Sequence, residues 1–321
     1  MTIKKTIYDV IIIGSGIAGL AAARYLHDKG QSVLVLDKGR RLGGRCATKR
    51  IEGFTFNHGA QFFTTIDADF TKLAQQAEAE GALTTWSFGH DRPCYIGAPT
   101  MRDLPQWLAT GLAIEQSVKI TSISQDDGLY HLLDETNNGY HARRLILTPP
   151  APQTAALLEE ISPLLAHTAN EALYDPRWTV MVGLHSPCEM GKLPLRDKPP
   201  IGWASAEDAR LSSDPSSLIK PAVTIQADPD TSRHYVNDTA EDMCRLLISA
   251  FEEATDQKLD IALQAAHRWL YARIAKPADK SSAFCDHNHH LAIAGDWFGK
   301  ARLETAFHSG LRAAKAIYQS A

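Results

Sequence analysis

The stretch Tyr8-Asp9-Val10-Ile11-Ile12-Ile13-Gly14-Ser15-Gly16-Ile17-Ala18-Gly19 continues into an alanine-rich run to His27 and then Ser32-Val33-Leu34-Val35-Leu36-Asp37. Tyr8 to Ile13 is short, apolar and mostly β-branched, the pattern of a strand buried on both faces of a parallel sheet. Gly14 ends it, the alanines with Leu20, Tyr25 and Leu26 favour a helix from Ile17 to about His27, Gly30 stops that helix, and Ser32 to Leu36 reads as a second buried strand. The result is a β-α-β unit whose connection is right-handed, so Gly14 to Gly19 fall at the carboxyl edge of the sheet, where such folds bind ligands. Gly14 permits the tight turn, Gly16 lets a pyrophosphate approach the backbone, and Gly19 lets helix and strand pack closely. The helix N-terminus then faces the phosphates with free N–H groups, and Asp37, eighteen positions after Gly19, can accept hydrogen bonds from a ribose diol.

Composition agrees with a soluble globular protein. The chain has 321 residues, 44% hydrophobic and 22% charged, and length over about 150 suggests roughly two domains. With 33 Lys and Arg against 37 Asp and Glu, and no basic block, nucleic acid is not an expected partner. No apolar run reaches the roughly 18 residues needed to cross a bilayer, so no membrane association is expected. The five cysteines, Cys46, Cys94, Cys188, Cys244 and Cys285, are scattered and form no C-x-x-C pair, which fits a reducing, cytoplasmic setting. Met1 to Ala23, with lysines at 4 and 5, has the outline of a secretory signal, but Asp9 and three glycines interrupt it.

Further on, Asp69 to Glu80 and Met101 to Leu112 read as helices, and Val118 to Ile123 and Tyr130 to Leu133 as paired strands. Arg144 to Leu147 is an apolar strand, and the Pro-rich Thr148 to Gln153 leads into a helix through about Leu165. Thr179 to Leu184, Ala222 to Ala227 and Gln264 to Leu270 are strands, Thr239 to Thr255 an amphipathic helix, Leu291 to Ala294 a buried strand, and Leu303 to Tyr318 a closing helix. The expected fold is α/β, with a discontinuous Rossmann-type dinucleotide domain (1–75, 100–150 and 285–321) and an α+β substrate domain (76–99 and 151–284) carrying a mixed or antiparallel sheet.

The glycine triplet alone leaves FAD and NAD open. The following Arg40-Arg41-Leu42-Gly43-Gly44-Arg45 favours FAD, because a second glycine pair brings backbone near the phosphates and Arg45 either bonds a phosphate or anchors the loop. Asp37, Arg41, Gly43, Gly44 and Arg45 resemble the flavin amine oxidase superfamily, in which an acidic residue ends the second strand and an R-x-G-G-R segment follows; glutamate is usual where Asp37 stands. Asn57-His58-Gly59-Ala60-Gln61-Phe62-Phe63-Thr64 is similar to the D-x-G-A-Q-Y-x-T segment of renalase-like members. Gly295-Asp296-Trp297 and Glu304-Thr305-Ala306-Phe307-His308-Ser309-Gly310 are similar to their G-D-W and E-G-A-W-x-S-G pair, with Thr305 in place of a glycine.

The resemblance implies noncovalent FAD held by Gly14, Gly16, Ile17, Ala18, Gly19, Asp37, Lys38, Arg41, Gly44, Arg45 and Val118. It implies the flavin ring along His58, Gly59, Ala60 and Gln61, the ribityl chain on Asp296, and Glu304, Thr305 and Ala306 at a helix start facing flavin N1. Asp175-Pro176-Arg177-Trp178-Thr179-Val180-Met181 and His267-Arg268-Trp269 also resemble the bacterial renalase branch, which makes Gln61, Trp178, His267 and Trp269 the expected lining of the substrate pocket. No catalytic base is evident, and the implied activity needs none. It is oxidation of isomeric dihydronicotinamides, 2- or 6-dihydro-NAD(P), to NAD(P)+ by hydride transfer to flavin N5, with O2 as acceptor and hydrogen peroxide as product. The alternatives are an amine oxidase in which Lys276 arranges a water, and a noncatalytic FAD-binding scaffold. His287, His289 and His290 beside Asp286 lack the spacing of a metal site, so no metal is expected, and Ser15 and Ser309 lack a hydrolase elbow.

Overall fold

The computed structural model describes residues 6–190, 194–211, 220–279 and 281–319; Lys4 and Lys5 lie outside them. The strand Ile7–Ile13 has parallel neighbours on both sides, Gly139–Leu147 and Val33–Asp37, which is why Val10, Ile11 and Ile12 are fully buried. The sheet continues past Val33–Asp37 to Ala113–Gln116, and past Gly139–Leu147 to Leu291–Ile293 and Cys285–Asp286. The hairpin Ile120–Asp126/Leu129–Asp134 joins Gly139–Leu147 in antiparallel pairing, giving eight strands. The first helix, Ile17–Asp28, and the last, Leu303–Gln319, share one face of this sheet, where Ala18, Ala22, Ala23, Leu26, Ala313, Ala314 and Ile317 form one buried cluster with its strands. A Cβ on Gly310 would stand 2.0 Å from the Ala18 carbonyl oxygen, so only glycine allows these helices their close approach.

The second sheet has the order Leu195–Lys198, Ile201–Ala206, Ala222–Ala227, Leu173–Leu184, Ile261–Lys276. Its first three pairings are antiparallel. The helix Ala240–Thr255, capped by the Thr239 side chain, packs Met243, Cys244, Leu247, Ile248 and Phe251 against one face. On the other face the hairpin Lys49–Ile51/Phe54–Phe56 seats Phe54 and Phe56 on Met181 and Ala222.

Two compact units result: residues up to Gly44 with Pro105–Leu173 and Ile274 onward, and Arg45–Leu104 with Tyr174–Arg273. The boundaries differ from the sequence expectation. Residues 45–75 and 100–104 belong with the second unit, where the hairpin in the first stretch packs on the five-stranded sheet and the Met101 N–H of the second donates to Asn57 Oδ1 at 2.9 Å. Residues 151–173 and 274–284 belong with the first, where Ser162 Oγ bonds Asp286 Oδ2 at 3.0 Å and the Glu171 carboxylate accepts from the Asp279 N–H at 2.8 Å.

Several elements also shift. The helix expected over 101–112 is only Asp103–Leu108, and Gly111, at φ 76°, turns the chain out of it. The single helix expected up to about 165 is two, Ala151–Leu158 and Pro163–Asn170, because Pro163 opens a new first turn. Val118 precedes its strand, which starts at Ile120 after the left-handed Ser117. The strands Leu195–Lys198 and Ile201–Ala206 were not legible in the sequence, whereas the one read over 264–270 is sixteen residues long.

Candidate functional site

In the first unit the chain builds a cradle out of backbone. Gly14, at φ 102°, makes the turn after the first strand, and a Cβ on Gly19 would lie 1.9 Å from the Gly14 carbonyl oxygen. Gly16 is the N-cap of the first helix and provides no side-chain cap, and the first turn carries no acidic residue, so the N–H groups around Ile17 and Ala18 are left for an outside acceptor. A Cβ on Gly16 would meet nothing within 4 Å. The second glycine loop closes over the first: the Gly43 N–H donates to the Ser15 carbonyl at 2.9 Å, and a Cβ on Gly44 would stand 3.4 Å from Gly16 Cα. An open glycine surface at an uncapped helix start fits a diphosphate.

Asp37 does more than the ribose role expected of it. Its Oδ2 accepts from Ser15 N–H at 2.5 Å and Ser15 Oγ at 2.6 Å, and its Oδ1 from Gly39 N–H at 2.6 Å, so it fixes both ends of the cradle. Val118 donates its N–H to the Asp37 carbonyl at 2.9 Å, Lys38 Nζ bonds Gln153 Oε1 at 2.8 Å, and Arg41 is exposed. Buried Asp296 opens a short turn that the Gly295 N–H ties to Ser309 Oγ of the last helix at 3.0 Å. Glu304, Thr305 and Ala306 lie in that helix's first turns, with Glu304 buried.

In the second unit the segment from His58 to Gln61 is held almost rigidly by its own backbone groups. The Ala60 N–H donates to the Arg45 carbonyl at 2.9 Å, and a Cβ on Gly59 would come within 2.0 Å of that same oxygen. The His58 carbonyl accepts from Trp269 Nε1 at 2.9 Å and the Gly59 carbonyl from Gln226 Nε2 at 2.7 Å. The Arg45 side chain anchors rather than reaches out, with Nη1 on the Ala272 carbonyl at 3.2 Å. Beneath the segment lies a buried ion pair, Arg210 Nη1 to Glu207 Oε2 at 3.4 Å. Glu207 accepts from Asn57 N–H at 2.9 Å, Asn57 Nδ2 at 2.8 Å and Thr224 Oγ1 at 2.5 Å. Burial lowers the Arg210 pKa, an effect that Glu207 opposes.

Strand alternation sorts the remaining candidates. Paired residues Thr179 and Gln226 point to one face of the five-stranded sheet, with Arg177 two positions before Thr179 on the same side. Trp178 points to the other face, into the core against the helix Ala240–Thr255, its Nε1 on the Tyr235 carbonyl at 2.8 Å. It is a core tryptophan and does not join the expected pocket lining. Gln61 is likewise committed: its amide nitrogen bonds the Asn57 and Gly59 carbonyls, and its oxygen accepts from Arg210 Nη1 at 3.0 Å and Ser205 Oγ at 3.2 Å.

His267 and Trp269 do meet, at 4.4 Å between ring centroids, and His58 joins them, stacked on Trp269 at 5.2 Å and edge-on to His267 at 5.1 Å. Burial first, then the charge of His267, Lys49 and Arg102, pushes the His58 pKa down to about 3; burial and then Lys49 lower that of His267. The wall is therefore aromatic and uncharged near neutral pH. Lys276 is exposed and falls in the first unit. His287 to His290 form the turn between Cys285–Asp286 and Leu291–Ile293, with His289 Nδ1 2.8 Å from Asp286 Oδ2. Sequence reading missed Asn57, Glu207, Arg210 and Gln226, whose roles depend on partners 17 to 167 positions away.

Comparison with known proteins gives the chain relatives along its sequence and its fold. Residues 12–77 match the family model described as an NAD(P)-binding Rossmann-like domain. Renalase from Mus musculus is 23% identical over 336 residues, covering 96% of this chain and 98% of that protein. Other relatives match only locally: carotenoid 3,4-desaturase from Haloarcula japonica is 42% identical over 59 residues, where the chain spans 12% of that protein's length, and amine oxidase [flavin-containing] B from Bos taurus is 52% identical over 42 residues, 8% of its length. A solved structure of a candidate protoporphyrinogen oxidase from Exiguobacterium sp. 255-15 shares the fold, with a TM-score of 0.75 at 15% identity over 99% of this chain and 100% of that one. The renalase-like resemblance thus runs along nearly the whole chain.

Proposed function

We infer that this chain, a renalase-like member of the flavin-containing amine oxidase superfamily, is an FAD-dependent oxidoreductase that oxidises isomeric dihydronicotinamides, the 2- or 6-dihydro forms of NAD(P), to NAD(P)+. When bound, the flavin supplies hydride acceptance at N5 and electron transfer to O2, giving hydrogen peroxide. The observation that carries the cofactor is the uncapped helix start at Gly16, open above and flanked by the Gly43–Gly44 loop.

In the first unit, the N–H groups around Ile17 and Ala18 would hold the pyrophosphate. Asp37 would order the cradle with accepting capacity left for ribose, Val118 would border that end, and Asp296 would take ribityl hydroxyls. The last helix would direct the N–H groups around Glu304, Thr305 and Ala306 at an electron-rich edge of the ring. In the second unit, the segment from His58 to Gln61 would lie along the ring, with Trp269 and His267 as a flat wall for the donor. A dihydropyridine expels hydride with the help of its own ring nitrogen, and the uncharged His58–His267–Trp269 wall asks for no proton transfer. Noncovalent attachment fits the absence of cysteine between Asp296 and Gly310, and five free cysteines fit a reducing, cytoplasmic setting. Among the described residues, no helix is long and apolar enough to cross a membrane.

The test is anaerobic mixing of the yellow protein with borohydride-generated dihydronicotinamide isomers and, separately, with a panel of primary amines and polyamines. Bleaching of the flavin within seconds by the isomers is the expected result. Bleaching by amines alone would move the protein to the amine oxidases, and bleaching by neither would leave a scaffold.

A further inference from the structure

The face of the five-stranded sheet that carries Trp269 is divided in two. At one end Met181 and Ala222 are covered by Phe54 and Phe56. At the other, alternation lines up Arg177 and Thr179 on the central of three strands, Gln226 on its neighbour to one side, and His267, Trp269, Tyr271 and Arg273 on its neighbour to the other. Arg273, on the neighbouring strand, disfavours the charge on Arg177: burial first, then Arg273, pushes the Arg177 pKa down to about 10.

Neither arginine has an ion-pair partner among the described residues. The two carboxylates that face Arg177 are engaged elsewhere. Asp175 bonds Arg233 Nη1 at 2.7 Å, and Asp228 caps its helix through Thr231 N–H at 2.9 Å and Thr231 Oγ1 at 2.8 Å. Arg177 keeps one long contact, Nη1 to Gln226 Oε1 at 3.4 Å, and Gln226 in turn holds the Gly59 carbonyl. Arg177 Nε and Thr179 Oγ1 are both buried with no hydrogen-bond partner among the described residues. Two guanidinium groups on neighbouring strands, neither of them in an ion pair among the described residues and with unspent donors beside them, are what an oxyanion binds.

We propose that Arg177 and Arg273 form an anion-recognition subsite that takes the phosphate or carboxylate of the hydride donor while its reacting ring lies against His267 and Trp269. The subsite rests on the reading of this face as the donor's side, and it deepens that reading: it selects nucleotides over free bases and rejects ammonium substrates, which the same two charges repel.

The FAD-loaded protein is titrated with inorganic pyrophosphate in one arm and nicotinate in another, with tryptophan fluorescence and the flavin spectrum as readouts; the responding arm names the anion. Saturable binding in the wild type, weakened at least tenfold in Arg177→Gln and in Arg273→Gln, is the expected result. Arg177→Lys falls between, because it keeps the charge and loses the fork. FAD content and melting temperature stay unchanged. No saturable binding of either anion, equal affinity in the variants, or loss of FAD in Arg177→Gln would each overturn the subsite, the last because the anion would then be the cofactor's own pyrophosphate. Failure of the isomers to bleach the flavin while anion binding follows Arg177 would overturn the donor and leave the subsite standing.

Discussion

The glycine cradle of the first unit is built almost wholly of backbone, whereas the face of the second unit's sheet that carries Gln226 and Trp269 is built of side chains from separate strands. Gly14, Gly16, Gly43 and Gly44 act through what they lack, and the helix start acts through N–H groups that every residue type possesses. The other face depends on Arg177, Gln226, His267 and Trp269, and on a buried pair, Glu207 and Arg210, that none of them touches in sequence. A backbone site tolerates change at many positions and none at its glycines. A side-chain site supported by a buried charge network fails when the support is removed.

The harshest way to break the second region is Glu207→Ala. It strands the Arg210 guanidinium in the interior and leaves both Asn57 donors without their acceptor, so unfolding stability should fall by about 3–5 kcal/mol in denaturant titrations. A loss below about 1 kcal/mol would mean the pair is dispensable. The first region breaks in a contrasting way. Gly16→Val places its side chain where no protein atom lies within 4 Å, so the apoprotein should lose no more than about 1 kcal/mol, while FAD affinity drops about a hundredfold, or about 2.7 kcal/mol. Gly19→Ala, by collision with the Gly14 carbonyl, should instead lower stability and FAD loading together. Equal effects of the two variants on apoprotein melting would erase the distinction between an external and an internal glycine.

The gentlest probe is acid. The folded pKa of His58 lies near 3, below its ordinary 6.5, so the stability carried by its neutral form is complete above about pH 6.5 and is lost as pH falls from there towards 3. Over the first two pH units of that descent the loss should be on the order of 2 kcal/mol. His58→Phe should remove that component of the slope. An unchanged slope in the variant would assign the acid sensitivity to other groups.

The cradle was legible because its information is local. Glycine identity, the apolar run before it and the helix after it lie within one short stretch, and the elements appear within a residue or two of where the pattern puts them. Trp178 shows what was not legible. The motif around it found the strand, but the register of a partner strand, not the motif, decides that Trp178 points into the core while Arg177 and Thr179 take the other face. Gln61 shows the same limit in another form: its amide is consumed by Arg210 and Ser205, residues more than 140 positions away.

What this chain's sequence determined by itself is the dinucleotide-type β-α-β unit, the second glycine loop that closes over it and the identity of the helix that returns at the end, because each follows from periodicity and from residues with no side chain to place. Only the tertiary structure decided where residues 45–75 belong, which face of the second sheet carries Arg177 and Gln226 rather than Trp178, and that Arg177 makes no ion pair among the described residues. Burial, register and charge pairing are relations between distant segments, and they have no value until those segments are packed.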